Sequence, residues 1–355
     1  MEIWIYSPYE HVRVGILDSY DSMTRTHRDD APDEIEITLR AAGGDAIAQV
    51  DSILWPSGDT TAYLVTSVDI EDEETGATHE RIRGKSMETL LAMRYLSVPK
   101  SFTGTPGQIC AQMCDEVFSD GARAFPGLTY DFGAATGETM TLSAEGTLLD
   151  NVCAALTAGL YGIRSAFSPA TCAVHIFAHA GQTRNIAFDE RYDTLSEARY
   201  TDDISDASDM CYVYDDEGEC LTVGNVALTG YRRREGSDWH TSGRESYDDE
   251  GNEIELTDAQ YRRAMQNTGA GYMSAHRRSQ EMSGTVNLQS KLVKYGDDFD
   301  LGDVCTIRKA AWGVNLKKRL TTVIETYENG VATMHAEFGT ATPTLSEKIK
   351  RGETA

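Results

Sequence analysis

The residues of this chain best suited to chemistry are two histidines four positions apart, two cysteines at the same spacing, and acidic clusters punctuated by glycine. His175 and His179 fall in a segment with strand patterning, where that spacing puts both side chains on one face roughly 13 Å apart. Two ligands of one metal ion lie far closer, and no carboxylate completes an H-E-x-x-H arrangement, so both read as ordinary surface or core histidines. Cys110 and Cys114 stand one helical turn apart, but no second cysteine or histidine pair lies nearby, and burial as small apolar side chains is the better account. Calcium would suit acidic glycine turns. Aligning Gly251 with the invariant glycine of an EF-hand loop, however, puts Ser246 at the first ligand position and Thr257 at the twelfth, so the bidentate glutamate is missing. Gly76 and Gly218 fail likewise and read as hairpin tips kept soluble by charge. Carboxylates are so plentiful that a glycosidase-like pair carries no signal, and no nucleophile elbow, phosphate-binding loop or dinucleotide fingerprint is present. The sequence thus points to no catalytic residue, no metal ligand and no cofactor.

A chain of 355 residues exceeds one ordinary core and predicts at least two domains. Its 40% hydrophobic and 25% charged residues place it in the globular range, which argues against disorder over most of its length. The net charge of −25 is spread in short clusters such as Asp69 to Glu74 and Asp248 to Glu255. Such a surface repels phosphate and disfavours a sequence-independent grip on DNA. No apolar run is long enough for a membrane span, and the N-terminus lacks the basic start of a signal peptide, so the chain reads as made soluble in the cytosol. Its seven cysteines are odd in number and scattered, which reads as reduced, buried thiols rather than a disulfide framework.

The elements that must position any site alternate between strand-rich and helical stretches. Period-two patterning over Glu2–Tyr6, Arg13–Ser19 and Asp33–Leu39 predicts strands, the last with Ile35, Ile37 and Leu39 on one face. Ala62–Ile70 and His79–Arg83 flank a hairpin turn at Thr75-Gly76. From Ser86, as N-cap, the spacing of Met87, Leu90, Leu91 and Arg94 turns helical. Thr105 caps a helix that opens on Pro106 and carries Ile109, Cys110, Met113, Val117 and Phe118 on one stripe. Thr147 caps another, with Leu148, Leu149, Val152, Leu156 and Leu160 inward, and strands Ile163–Phe167 and Cys172–Phe177 follow. Strands Met210–Tyr214 and Glu219–Val223 enclose a turn with Gly218, and polar Gly236–Asn252 reads as an exposed loop or long hairpin tip. A long helix runs from Thr257 or Asp258 to Glu281, with Arg262, Arg263, Arg277 and Arg278 outward and a weak centre at Gly269 and Gly271. The strands Val304–Ile307, Leu316–Ile324 and Val331–Phe338 complete the pattern, with Asn329-Gly330 as a hairpin signal and a frayed tail from Thr340. With no alternating βαβ series, a doubly wound nucleotide-binding sheet is disfavoured. The fold class is α+β and β-rich.

Several segments carry a family resemblance. Trp4-Ile5-Tyr6, the run Val14 to Ser22 with Gly15 and Asp18, Thr24-Arg25 and Glu34 to Ile37 resemble the opening of the siphophage tail-tip hub family, tail-associated proteins of phages and prophages of Gram-positive bacteria. The similarity continues through Arg83-Gly84-Lys85-Ser86, Thr147 to Asp150 and Leu256 to Tyr261. It is most telling from Tyr295 to Thr306, which includes Leu301-Gly302-Asp303, followed by Trp312-Gly313 and Leu320 to Tyr327. On this resemblance Gly15, Asp18, Arg25, Gly84, Leu301, Gly302, Asp303 and Gly313 are signature structural positions. Arg28 to Pro32 departs from the pattern, since relatives carry an aromatic and a glycine there. The long C-terminal extension of many relatives, with its peptidoglycan hydrolase or host-binding module, is not expected after Phe338.

The resemblance implies a hub fold with two barrel-like tube domains and inserted lobes: residues 1–97 as an N-terminal β tube domain, 98–183 as an α+β lobe, 184–256 as a β lobe with an exposed loop, 257–340 as the long helix plus a C-terminal β tube domain, and 341–355 as a flexible tail. It also implies a homotrimeric ring in the virion that closes the tail tube, with the distal tail protein, the tape measure protein and the tail tube as partners and phage DNA passing through unbound. An acidic inner wall would suit that passage. A competing reading is a host carbohydrate-binding tail protein with Trp239 and Tyr247 as stacking platforms, and a third is a tail enzyme that degrades peptidoglycan or capsule.

Overall fold

Alternating apolar and polar side chains make the start of the chain a run of antiparallel strands, β1 (Ile3–Ser7), β2 (Val12–Leu17), β3 (Ser22–Arg28), β4 (Glu34–Arg40), β5 (Ile53–Pro56), β6 (Tyr63–Asp72) and β7 (Thr78–Ser86). This is a computed structural model, and it describes residues 1–339 apart from 41–47, 73–77, 99, 217, 242, 248–252, 288, 289, 291 and 329. The turn expected at Thr75-Gly76, the tail from Thr340, Gly251 and Asn329 lie outside the described residues. One face of these strands buries Ile3, Ile5, Ile35, Ile37, Leu54, Tyr63 and Ile82 in a common core. Because burial of each such side chain contributes about 1.5–3 kcal/mol, this core fixes the register of the meander. β3 was not expected as a strand. Beyond Ser86 the helical stretch is a 3-10 helix, Met87–Met93, and Ser86 Oγ accepts the Asp33 N–H (2.7 Å) rather than capping it.

The next stretch folds as β8 (Lys100–Gly104), α1 (Pro106–Phe118), β9 (Leu128–Asp131), β10 (Met140–Ala144), α2 (Leu148–Ala158), β11 (Gly162–Ser168) and β12 (Ala173–His179). Thr105 and Gln108 form a reciprocal capping box at α1, as the Thr105-Pro106 pair predicts. The helices α1 and α2 bury Ile109, Met113, Val152 and Leu156 against one another, and Cys110 and Cys114 are fully buried in the same cluster. Leu160 departs from expectation. It lies past the end of α2 with φ +62° and is exposed, so it is no part of the inner face. Cys220 is a second correction, being exposed rather than buried.

The chain then forms β13 (Thr183–Asp189) and β14 (Leu195–Asp203), followed by β15 (Met210–Asp215), β16 (Cys220–Gly224), β17 (Glu235–His240), β18 (Glu245–Tyr247), β19 (Glu253–Glu255) and α3 (Asp258–Ala275). It ends in β20 (Ser279–Val286), β21 (Val304–Lys309), β22 (Val314–Glu328) and β23 (Val331–Phe338). Two compact units result, Met1–Arg199 with Met282–Ala355, and Tyr200–Glu281. β13 belongs to the first unit, because it pairs with β21, more than a hundred residues on.

In the second unit, β16-β15-β17 form a small sheet against which α3 packs through Tyr261 and Met265. Gly269 does not break the helix: a Cβ there would stand 2.7 Å from Val223 Cγ2 and 2.8 Å from Val213 Cγ2, so the glycine is what lets α3 lie this close to the strands. The helix stops at Ala275, short of Glu281, so Arg277 and Arg278 lie outside it.

Candidate functional site

The large sheet of the first unit has, among the described residues, 13 strands in the order β14-β20-β23-β22-β3-β4-β7-β6-β5-β1-β2, with β21 also on β22 and β13 on β21. Its central fact is the β22–β3 pairing, Thr322 opposite Arg28 through Glu328 opposite Ser22, which seams the end of the chain to its beginning. The inward positions of β3 are Met23, Arg25 and His27, so two ionisable groups sit where a strand normally buries aliphatic carbon. Arg25, only 5% exposed, is held by Asp59 from the β5–β6 connection and by Glu325 from β22. His27 lies 2.7 Å from Asp33 and 3.5 Å from Glu325. Charges taken out of water in this way persist only when paired and hydrogen-bonded.

The titration of this cluster follows from the pairing. Burial works against a charged His27, yet Asp33 and Glu325 overcome it and raise its pKa to about 9. Burial likewise works against an ionised Glu325, and His27 and Arg25 overcome it, holding the carboxyl down at about 2. The raised His27 pKa adds stability that is complete below 6.5 and is lost as pH rises through 9, at most about 3 kcal/mol. The depressed Glu325 pKa adds stability that is complete above 4.5 and is lost as pH falls through 2. Denaturation midpoints are therefore expected to fall between pH 7 and pH 10 in the natural protein and to stay flat over that range in His27→Gln; equal slopes would refute the assignment.

A second cluster gathers around Leu301-Gly302-Asp303. Asp303 is buried and accepts from Gln182 N (2.7 Å), Arg184 Nε (2.6 Å) and Asp300 N (2.9 Å), tying the start of β13 to the loop before β21. Arg164 of β11 donates to the Leu301 carbonyl at 2.7 Å. Arg319 of β22 donates to Asp29 at 2.5 Å, and Asp29 takes the Ile163 N–H on its own carbonyl at 3.0 Å. Burial outweighs the Arg319 pairing and lifts the Asp29 pKa to about 6. The segment Arg28 to Pro32, where the sequence departs from the hub pattern, thus supplies the residue that joins the strand seam to the helical lobe.

The remaining signature positions have separate surroundings. Gly84 lies on β7 with the Leu64 carbonyl 2.9 Å from where a Cβ would stand, so it allows β6 and β7 to close up. Gly15 sits in β2 against Ile5, Asp18 is exposed after β2, and Gly313 turns the chain from β21 into β22. His175 and His179 do share β12. His175 lies beside Thr129 Oγ1 at 2.9 Å, and the His179 ring faces the Leu301-Gly302-Asp303 cluster. Among the described residues no group of three or more His, Cys, Asp or Glu is placed to hold a metal ion, and no helix is long and apolar enough to cross a membrane. Trp239 is 58% exposed on β17 with the Tyr214 ring 5.6 Å away, whereas the Tyr247 side chain lies outside the described residues. The second unit also holds a 650 Å³ cavity that includes Ser208, Asp209, Arg234 and Arg278, with Arg278 engaged by Asp202 and Arg234 by Asp209. Sequence reasoning missed Asp29, His27, Asp59 and Glu325; the only signal was the charged inward alternation of Arg25 and His27.

The architecture has relatives. The prophage MuSo2 43 kDa tail protein from Shewanella oneidensis is similar over 95% of this chain and 98% of its own, with a TM-score of 0.58 and 11% identity. The tail protein from Neisseria meningitidis MC58 gives a TM-score of 0.56 at 7% identity, covering 95% of each chain. Prophage tail protein gp18 from Listeria monocytogenes EGD-e gives 0.55 at 13% identity over 100% of both. Identities this low show a common fold and nothing finer. No curated protein sequence matches the chain. The profile of the family described as Siphovirus ReqiPepy6 Gp37-like protein matches residues 2–340, nearly the whole of the described fold, and the chain accordingly belongs to that family of siphophage tail-associated proteins.

Proposed function

We propose that this tail protein is a non-catalytic hub subunit that assembles into a ring, most simply a homotrimer, at the distal end of the tail tube. The observation that carries the reading is the seam. With β22 hydrogen-bonded to β3, the first and last strand regions stand side by side in each copy, so three copies would present six strand modules around an axis. In this reading the distal tail protein, the tape measure protein and the tail tube are the neighbours, DNA passes through without specific binding, and the role lies in interfaces rather than in a reaction.

The edge of the sheet supports it. Among the described residues β2 is a terminal strand with no partner on its outer side, and Val12, Val14 and Ile16 on it are each about half exposed. Such an edge is a template for another strand, and monomers usually blunt it with charge or proline. The full chain is expected to sediment as an oligomer that dissociates on dilution, and Val14→Lys, which places an ammonium on that edge, is expected to shift it toward monomer. A strict monomer under every condition, alone and with the distal tail protein, would overturn the proposal.

A further inference from the structure

The chain carries 57 acidic and 32 basic residues, yet from Val304 to Arg319 it has five basic residues and no acidic one. This stretch is the β21–β22 hairpin, with Thr306 opposite Lys317 and Cys305 opposite Lys318, and its turn at Ala310 to Gly313 leaves Trp312 49% exposed. Two of the five basic groups have partners in the chain, Lys309 with Glu190 and Arg319 with Asp29. Lys317 and Lys318 show no ion pair among the described residues, whereas Arg308 donates to Asn315 and lies within electrostatic reach of Asp189. On a protein of net charge −25 an unneutralised cationic arm is the exception, and an exposed tryptophan at its tip adds apolar surface.

Registers across the sheet show where the arm projects. At one end of the strands Thr322 lies opposite Arg28, Thr26 opposite Glu34 and Glu34 opposite Lys85, and β22 runs on past that end toward Gly313. At the other end Arg40 lies opposite His79 and His79 opposite Glu71, and β6 runs past that end to Asp72. The outer part of β6 carries Asp69, Glu71 and Asp72, with Glu71 and Asp72 exposed and Ile70 54% exposed between them. One chain therefore projects a basic hairpin with an exposed Trp from one end of its strands and an acidic hairpin with an exposed Ile from the other. Held at opposite ends, the two cannot neutralise each other within one copy.

We infer that the β21–β22 hairpin of one copy docks on the β6–β7 hairpin of a second copy, with the exposed Lys317 against Asp72 and the Trp312 ring over Ile70, which shares a face of β6 with Asp72, while Lys318 and Glu71 add charge from the opposite faces of their strands. This inference rests on the self-assembly reading and specifies one of its contacts. The contact is head-to-tail, so it joins unlike surfaces and has a direction, and it can close a ring or extend a stack according to the rotation between copies. Opposite charges across it speed encounter and reject wrong partners, and they make it sensitive to salt.

The test uses the full chain in sedimentation velocity across a salt series. Association of the natural protein is expected to weaken roughly tenfold or more between low and high salt. Lys317→Glu with Lys318→Glu is expected to weaken it roughly a hundredfold at low salt, as is Glu71→Lys with Asp72→Lys on the other hairpin. The four changes combined are expected to restore association to within roughly tenfold of the natural protein, because the attraction is rebuilt with its sign exchanged. The two single-hairpin variants touch different strands, with Lys317, Glu71 and Asp72 exposed and Lys318 half-buried, so misfolding of one, seen by circular dichroism, leaves the other as the reading. Unchanged association in a folded single-hairpin variant, or no rescue in a folded combined variant, would overturn the inference while leaving ring assembly through β2 standing. So would retention of double-stranded DNA that both lysine changes abolish with the oligomer intact. A natural protein that is monomeric throughout would sink the self-assembly reading and this contact together.

Discussion

Arg25→Met is expected to destabilise the first unit by about 3–5 kcal/mol, the usual consequence of removing one partner from a buried ion pair. Among the described residues the guanidinium is the only cation in direct contact with both Asp59 and Glu325 that stays charged at every accessible pH, and it is almost wholly shielded from water. Without it the part-exposed Asp59 loses its counter-ion, and Glu325, largely shielded from water, keeps His27 and the Tyr327 hydroxyl as its partners. Methionine fills much of the vacated volume, so the loss reports charge more than packing. Because these side chains bridge β3 and β22, amide protons of that strand pair should exchange faster in the variant, well beyond the change in β1 and β2. The check is urea denaturation of the full chain with hydrogen exchange alongside. A loss under about 1 kcal/mol would mean that the apolar core alone holds the two chain ends together.

Gly302→Ala is expected to cost about 2–4 kcal/mol, against about 1 kcal/mol for Gly296→Ala. Both glycines have positive φ, +88° at Gly302 and +83° at Gly296, so the backbone penalty of a side chain is shared. Their surroundings differ. Nothing lies within 4 Å of where a Cβ would stand on Gly296, while on Gly302 it would meet Asp29 Oδ1 at 2.6 Å, the His179 ring at 3.2 Å and Arg319 Nη2 at 3.3 Å. Asp29 cannot retreat without breaking its contact with Arg319, so the extra methyl disturbs the joint between β11, β22 and the turn after β3. Equal melting shifts for the two variants would show that this joint is loosely packed.

Both expectations concern positions that were visible in the sequence for different reasons. Gly302 and Asp303 stand in a recognisable string, and the structure gives the string a physical cause: a positive φ with no room for a side chain, then a buried carboxylate satisfying two backbone amides and an arginine. Arg25 was legible as part of a resemblance but not as part of a strand. Its alternation with Met23 and His27 reads as polar, because two of the three inward side chains carry charge. A period-two search for apolar residues passes over β3, although β3 is the strand on which β22 pairs.

The sequence by itself determined the local elements and the class of fold. Capping residues Thr105, Thr147 and Thr257 start α1, α2 and α3 where expected, and alternation marks β4, β15, β16, β21 and β23, since these signals act over a few residues and need no distant partner. Only the tertiary structure decided what neutralises Arg25, where Asp29 sits, why Gly269 leaves α3 unbroken and which hairpins carry opposite charge at opposite ends of the strands. Arg25 and Glu325 are 300 positions apart. Whether a charge at such a position is solvated or buried depends on which strands become neighbours, and that is fixed by closure of the whole sheet rather than by anything written near either residue.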